Sequence, residues 1–366
     1  QWAYNKSWQA YMDPTKRGGK SPYSWYRESV IGNEDVHWEK VKKLNIGIDY
    51  ALLDGLFAGS IEVFRDKRSD ILINGSTRAV PSYFGATPAT INKGKVNTKG
   101  YELELRFNKK LENGMRLWAN MSMTHAENKV ILKDDMPLLP SYRQAAGYPM
   151  GQGRYYLDDG FIGSYDELYG SPKHDSNNES RIPGDYYIID FNGDGVINQD
   201  DQAPYGHPTT PQNTYNATIG FEWKGFSCFA QFYGVNNVSR TVQLNCFNNR
   251  YNVVFNTGTW WAEAGNSADF VTPRWLTKPV AAYNGTQYVY DASFIRLKNV
   301  ELSYTFKNNW TRQIGVSNLR LFISGNNLWM WSRMPDDREG NFTGASTSSG
   351  AYPIMKRVNL GVKFSL

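Results

Sequence analysis

The strand-like segments of this chain come in pairs, and connections within a pair are far shorter than connections between pairs. Within pairs, Asp54-Gly55, Glu112-Asn113-Gly114 and Lys224-Gly225 are residue types typical of tight β-hairpin turns. Between pairs, the segments 66–99, 125–213, 237–293 and 329–354 are long and contain many Gly, Asn, Ser and Tyr residues. All of the long connections fall on one side of the pattern, so the chain is constrained to an antiparallel sheet with one short-turned end.

Apolar and polar residues alternate along these segments. Between 44 and 52, Leu44, Ile46 and Ile48 share one face, whereas Asn45 and Asp49 share the other. The hairpins are predicted at 44–65, 100–124 and 214–236, a pair with a longer turn at 294–306 and 317–328, and a last strand near 355–366. With apolar residues facing lipid and polar residues facing a watery lumen, these nine strands predict an all-β, antiparallel transmembrane β-barrel.

The strand count suggests a part of a larger barrel, because nine is odd and bacterial single-chain barrels have even numbers of strands. We therefore expect the C-terminal part of a barrel over 1–366, with 1–43 in a loop on the long-loop side. The N-terminal plug and the first strands are expected to be absent from this sequence. Two other classes of protein remain possible: a secreted, soluble, calcium-dependent glycan-binding β-sandwich, and a passive porin.

Composition excludes some classes of protein. The mean hydropathy is −0.57 and no apolar run reaches the length of a spanning helix, so a helical membrane protein is excluded. Net charge is +5 without a basic run, which gives no support for nucleic-acid binding. Aromatic residues lie near the tight turns, where an interfacial girdle is expected: Trp223, Phe226, Tyr304 and Phe306. The two cysteines, Cys228 and Cys246, allow either a disulfide or two thiols.

A calcium-loop pattern lies inside the segment 125–213. Oxygen-bearing residues occupy positions 1, 3, 5, 9 and 12 of a twelve-residue loop, with a glycine at position 6 and a backbone carbonyl at position 7. The predicted ligands are Asp190, Asn192, Asp194, Val196 (through its carbonyl), Asn198 and Asp201. Because the last ligand is Asp rather than Glu, we expect weaker binding or altered denticity. Because the site lies within a long loop and no His or Cys joins the set, we expect a structural Ca²⁺ that orders the loop. The alternative is a metal-free Asx-rich turn.

Catalysis has little support in the sequence. The four histidines, His37, His125, His174 and His207, stand in no metal-ligand or nucleophile motif, and paired acids such as Asp158-Asp159 fall in predicted loops. We therefore predict that the chain is not an enzyme. Candidate substrate contacts are tryptophans and charged residues in or beside the long loops, which could stack on sugar rings and bind hydroxyls: Trp260, Trp261, Trp275, Trp329, Trp331, Asp336, Asp337 and Arg338.

Several ordered motifs point to a family. The stretches YDASFIRLKNVELSYTF at 290–306, LRLFISGNNL at 319–328, NTKGYE at 97–102, DFNGDG at 190–195 and NLGVKF at 359–364 closely resemble the C-terminal barrel of SusC/RagA-type TonB-dependent outer-membrane transporters. The resemblance covers nearly the whole chain. One departure is the end of the chain, where Ser365 and Leu366 follow the Phe364 on which the family usually stops.

The resemblance implies active nutrient import across the bacterial outer membrane. The whole protein is then expected to be a 22-stranded barrel with an internal plug, energised through TonB and capped by a SusD-like surface lipoprotein, with its C-terminus on the periplasmic side. Oligosaccharides are the expected substrates, with peptides as the alternative within the same family. The plug and the TonB-binding segment are then expected to lie outside this sequence.

Overall fold

The computed structural model describes residues 7–11, 25–84, 86–174, 178–179, 181–241, 259–263, 265, 268, 271–272, 285–306, 315–316, 318–334 and 354–365. These residues form a mainly β structure with one short α-helix, α1 (Tyr165–Gly170), and 3₁₀ turns at Gly75–Thr77, Ser82–Phe84, Gln199–Asp201 and Thr286–Tyr288. No helix in this described part is long and apolar enough to span a membrane. Cys228 is a free thiol, and Cys246 lies outside the described residues.

The strands vary widely in length, from three to 20 residues. Their bounds are β1 (Ser7–Tyr11), β2 (Trp25–Val30), β3 (Lys40–Leu52), β4 (Phe57–Ile73), β5 (Ile91–Lys110), β6 (Arg116–Leu132), β7 (Arg154–Tyr156), β8 (Asp158–Phe161), β9 (Tyr186–Ile188), β10 (Gln202–Pro204), β11 (Asn213–Trp223), β12 (Phe226–Asn236), β13 (Ser239–Thr241), β14 (Val289–Asp291), β15 (Phe294–Phe306), β16 (Asn318–Ser332) and β17 (Arg357–Ser365).

One nine-stranded sheet contains all of the long strands. Its order is β17-β16-β15-β12-β11-β6-β5-β4-β3, so every strand pairs with its neighbours in sequence among the long strands. The nine predicted strands are therefore confirmed. A sandwich predicts two packed sheets instead, and the remaining described strands form only two-stranded pairs.

Five strands extend beyond their predicted ends at the long-loop side. β3 begins at Lys40, β4 continues to Ile73, β5 begins at Ile91, β6 continues to Leu132 and β16 continues to Ser332. The loop segments predicted at 66–99, 125–213 and 329–354 are correspondingly shorter. Charged residues such as Lys42 and Lys67 occupy the extensions, so the alternation of apolar and polar residues that marks a strand fades there.

The strand register separates an apolar face from a polar face. One row across adjacent strands reads Phe221, Cys228, Leu302, Ile323 and Leu360, and the row beside it on the opposite face reads Gly220, Phe229, Glu301, Ser324 and Asn359. The apolar row is open to its surroundings, since Leu302, Ile323 and Leu360 are 46%, 47% and 85% exposed. Apolar side chains exposed over so many strands are typical of a lipid-facing wall. We call this face outward and the polar one inward.

Aromatic residues cluster at the tight-turn end of the outward face, as the sequence predicts. The ring of Tyr304 lies 4.6 Å from that of Phe226 and 4.8 Å from that of Phe306, centroid to centroid. The Lys224 ammonium lies 4.9 Å from the ring centroid of Trp223. Aromatic faces next to a cation suit the boundary between hydrocarbon and headgroups.

The chain divides into two compact units. The first comprises 1–46, 63–100 and 127–150, and the second comprises 47–62, 101–126 and 151–366. Within the second unit, residues from the connections β6–β11 and β12–β15 share a small hydrophobic core of their own. The core consists of Tyr156, Tyr186, Ile188, Ile197, Val271 and Tyr288. We call the described residues of 151–212 and 259–291 the loop module.

Candidate functional site

A row of uncharged polar side chains crosses the inward face. The strand register places Asn120, Thr218, Gln231, Asn299 and Asn326 side by side on β6, β11, β12, β15 and β16. The Asn299 amide donates to Gln231 Oε1 at 2.7 Å, and the Asn326 amide donates to Asn299 Oδ1 at 2.6 Å. These bonds fix the amides against the wall while each amide keeps further hydrogen-bonding capacity. We call this set the amide row.

The amide row ends at a cavity. The Gln231 amide donates to Asn216 Oδ1 at 3.3 Å, and Asn216 lines a cavity of about 470 Å³. Its other lining residues include Asn120, Ser122 and Thr218, together with an ion pair in which Arg106 Nη2 lies 3.1 Å from Glu104 Oε2. Leu105 and Met121 complete the lining, so hydroxyl and amide groups make up half of it. This mixture suits a hydrogen-bonding ligand that also has apolar surface.

Both paired and unpaired charges lie on the inward face near the amide row. Arg320 Nη2 lies 2.5 Å from Glu301 Oε1 and also donates to Ser303 Oγ at 2.9 Å. Nearer the tight turns, Arg116 Nη1 lies 3.6 Å from Glu222 Oε2. Arg357 pairs in register with Asn326 on the same face, and among the described residues no carboxylate lies within ion-pair distance of it. The wall at this end of the amide row is therefore positively charged.

The predicted calcium loop forms a network of Asx turns. Asp190 Oδ1 accepts the Gly193 and Asp194 amides at 2.7 and 3.2 Å, and its Oδ2 accepts the Gly195 amide at 2.6 Å. Burial alone would raise the pKa of Asp190, but these three N–H bonds outweigh it, so the pKa lies below its usual range. Gly193 and Gly195 have φ values of 76° and 83°, which explains glycine at both positions.

The other predicted ligands also hold the loop's own backbone. Asn192 Oδ1 accepts the Asp194 amide, and Asp194 Oδ1 accepts the Val196 amide, both at 2.9 Å. Asn198 donates from its side chain to the Val196 carbonyl at 3.3 Å. The structure therefore bears out the Asx-turn architecture, and no cluster of three or more His, Cys, Asp or Glu residues poised for a metal occurs among the described residues. Calcium binding stays a prediction.

Asp201 anchors this loop to the loop module. Its side chain is fully buried, and its oxygens accept the amides of Phe191 at 2.9 Å, Asn192 at 3.3 Å and Asn198 at 2.7 Å. Beside it, Ile197 is 5% exposed within the module core. The Ile197 amide also donates to the Lys173 carbonyl at 2.7 Å, so the loop is tied to the module from two sides.

Of the tryptophans in the long connections, Trp260 and Trp261 are partly covered. The Trp261 ring packs against the backbone of Gly184, where an added Cβ would lie 2.5 Å from it, and its carbonyl accepts Thr272 Oγ1 at 3.4 Å. Packing within the loop module thus accounts for Trp261. The remaining loop candidates, Trp275, Asp336, Asp337 and Arg338, lie outside the described residues.

Trp329 and Trp331 are not loop residues, which corrects their predicted position. Both belong to β16, where they pair with Leu297 and Ile295 of β15 on the outward face. They are 50% and 46% exposed there, whereas the inward residue between them, Met330, pairs with Arg296. The strand period puts their rings on the apolar side of the sheet, away from the amide row. The Arg333 guanidinium lies 5.7 Å from the Trp331 ring centroid.

The amide row was missed from the sequence. Asn299 and Asn326 appear there only as polar members of alternating strands. Neither has a motif around it, and the register that aligns them includes irregularities at 231/232 and 297/299. Alternation indicates the face of each residue, but neighbours across strands depend on register.

Comparison with known proteins agrees with this two-faced sheet. The profile of the family described as "TonB dependent receptor-like, beta-barrel" matches residues 2–328. TonB-dependent receptor P3 of Formosa agariphila is 25% identical over 356 residues, covering 91% of this chain and 34% of that protein. TonB-dependent receptor SusC of Bacteroides thetaiotaomicron is 25% identical over 309 residues, covering 81% and 29%.

A solved structure of the RagAB peptide transporter superposes with a TM-score of 0.68 at 16% identity, covering 99% of this chain and 38% of that one. The chain therefore spans about a third of the length of these relatives. Their names are those of receptors and transporters rather than enzymes, as the sequence predicts. With a family match over nearly its whole length, this chain belongs to the TonB-dependent receptor-like β-barrels, a family of the bacterial outer membrane.

Proposed function

We propose that this chain is the C-terminal barrel portion of a SusC-like importer that takes up nutrients across the outer membrane. The observation that carries the proposal is the nine-stranded sheet with an exposed apolar face and a polar face, in a chain of this family. The tight turns and the C-terminus lie on the periplasmic side, and the loop module lies outside the cell. Energy comes from TonB through an N-terminal plug, and a SusD-like lipoprotein caps the long loops.

The proposed substrate is a neutral oligosaccharide. Amide groups donate to and accept from sugar hydroxyls, and the amide row leads to a cavity lined with further hydroxyl and amide groups. A peptide is the second candidate, because the RagAB structure is that of a peptide transporter and a peptide backbone offers similar donors and acceptors. The ion pairs Arg116–Glu222 and Arg320–Glu301 offer no free charge to a ligand, whereas Arg357 beside Asn326 could bind a peptide carboxylate. The neutral ligand is preferred because the rest of the amide row is uncharged.

Uptake by cells carrying the full-length protein tests this proposal. Asn299→Leu removes the middle of the amide row, and we expect oligosaccharide uptake to fall about tenfold, the effect of losing one or two hydrogen bonds. Val300→Ala is the matched control, since Val300 is the next residue along β15 and lies on the outward face. Equal oligosaccharide uptake by both variants would contradict the sugar assignment, and selective loss of peptide uptake would replace it with the second candidate.

We also propose that Ca²⁺ stabilises the loop 190–201. The carboxylates of Asp190, Asp194 and Asp201 are close in sequence, and each retains lone pairs beyond the backbone bonds described above. The ion would add to a loop that already holds itself by Asx turns, so its role is structural. Chelation is expected to increase proteolysis within 190–201 and leave cleavage of 133–150 unchanged. Unchanged cleavage of both segments would leave the metal-free turn as the correct description.

A further inference from the structure

Cationic side chains replace the apolar ones at the long-loop end of the outward face. Along β3, the exposed residues Leu44 and Ile46 share their face with Lys42 and Lys40. These two lysines therefore continue the lipid-facing row. The neighbouring Lys43 points to the opposite face.

The next strands repeat this change from apolar to cationic. On β4, Val63 is 56% exposed, and Arg65 and Lys67 follow it at alternate exposed positions. On β5 and β6, Lys99 Nζ lies 2.6 Å from Glu127 Oε1, and Lys129 is the next residue on that face of β6. All of these residues belong to the first compact unit. We call the set Lys40, Lys42, Arg65, Lys67, Lys99 and Lys129 the basic patch.

Most of the basic patch has no ion-pair partner. Lys40 Nζ lies 3.0 Å from Asp70 Oδ2, and Lys99 pairs with Glu127 as described. Within the described residues, no carboxylate comes within ion-pair distance of the other four cations. A chain whose total net charge is only +5 therefore concentrates uncompensated positive charge in one place.

The position of the basic patch matches the level of lipid headgroups. Lys42 stands about ten residues from Leu52 at the tight-turn end of β3, which is about 33 Å along the strand. At a strand tilt near 40° this corresponds to about 25 Å along the membrane normal, the height of the apolar band of such barrels. The cations thus begin where the hydrocarbon ends, and their aliphatic stems can lie along the apolar surface.

The patch is local rather than part of a general belt. Toward the long-loop end of β11, β12, β15 and β16, the outward residues are uncharged and include Tyr215, Gly234, Ile295 and Trp331. A uniform attraction to the headgroup layer would place cations on these strands too. Past the ends of β16 and β17 the outward rows continue with Arg333, which pairs with Asp291 at 2.8 Å, and with the single cation Lys356. The clustering of several unpaired cations on β3–β6 therefore indicates a site for one particular kind of headgroup.

We propose that the basic patch binds a phosphate-bearing glycolipid of the outer leaflet. Ammonium and guanidinium groups recognise phosphate oxygens by charge and hydrogen bonding, and the apolar residues below them contact the acyl chains. The site shares no residue with the amide row and needs no substrate. The choice of leaflet rests on the proposed orientation, with the long loops outside the cell.

Binding of diphosphoryl lipid A to the purified, delipidated full-length protein tests the proposal, with native mass spectrometry in detergent as the readout. The triple variant Lys42→Gln/Arg65→Gln/Lys67→Gln removes three cations that lack ion-pair partners. We expect the binding constant to fall roughly a hundredfold, since each cation near an anionic surface contributes about fivefold. Lys43→Gln, on the opposite face of β3, should bind like the wild type.

Two further probes distinguish the possible outcomes. Lipid A without phosphates should bind weakly to the wild type, and inorganic phosphate should not displace the diphosphoryl form. Equal binding by the triple variant and the wild type would overturn the proposal, as would equal losses in the triple variant and Lys43→Gln. Displacement by inorganic phosphate would assign the patch to a free anion instead. Because lipid binding is measured without transport, failure here is distinguishable from failure of the proposed import function.

Discussion

Asp201 provides the sharpest test of how the loop module is held together. Its buried carboxylate accepts three backbone N–H groups, so Asp201→Asn replaces one accepting oxygen with an NH₂ group that faces N–H donors. Hydrogen bonds to a charged acceptor contribute about 1.5–3 kcal/mol each. Loss of one or two of them should therefore lower the free energy of local opening by about 2–4 kcal/mol.

Hydrogen–deuterium exchange of the amides in 186–201 measures this change directly. A loss of about 3 kcal/mol corresponds to roughly a hundredfold faster exchange. Asp159→Asn is the control, because Asp159 is an exposed residue of the same module. Exchange in Asp201→Asn should also be faster than in the wild type at saturating calcium, because the lost hydrogen bonds to the backbone do not depend on the ion. If Asp201→Asn and Asp159→Asn exchange alike, the buried carboxylate does not anchor the loop.

Three other expectations follow from the geometry. Trp329→Ala and Trp331→Ala should leave substrate uptake unchanged, because both rings lie on the outward face; a drop in uptake with normal assembly would contradict that placement. Lys93, hydrogen-bonded at 2.5 Å, lowers the pKa of Asp134, with the Ala79 amide and Arg78 adding to the effect against a partial opposition from burial. The ionised Asp134 side chain therefore stabilises the fold at pH values above its ordinary pKa near 3.9. This stability advantage over Asp134→Asn should vanish as the pH falls through the lowered pKa. The rate of proteolysis within 74–90, measured against pH, tests this. Gly220→Val should reduce the yield of assembled barrel, because its Cβ would lie 2.6 Å from the Trp118 ring, whereas Gly170→Ala, with open space around it, should not.

The sequence predicts the strands because apolar alternation is a local property. In β3 and β17 the alternation along the strand shows which face of the sheet each residue occupies, without information about the neighbouring strands. The ends of β4 and β6 were missed since charged residues such as Lys67, Glu127 and Lys129 occupy outward positions there and break the apolar pattern while the strands continue. Trp331 was misplaced for a related reason: Asn327, with a φ of 53°, and the irregular register beside it shift the strand, and sequence spacing alone does not show this.

The candidate sites differ in the same way. The loop 190–201 was found because its residues follow one another closely, whereas the amide row was not, because Gln231 and Asn299 are far apart in the chain. The basic patch is likewise assembled from four strands, each contributing one or two cations. A motif of consecutive residues can be recognised in the sequence, whereas a site that is assembled by strand register cannot.

The core of the loop module joins two connections that are distant in sequence, and this has a mechanical consequence. Tyr186 packs edge-on against Tyr288 with ring centroids 6.1 Å apart, so a residue from the β6–β11 connection is held against one from β12–β15. A force on either connection is therefore transmitted to the other through this packed core. The two connections should therefore move together, and a proteolytic cut in one of them would leave its packed residues held by the other.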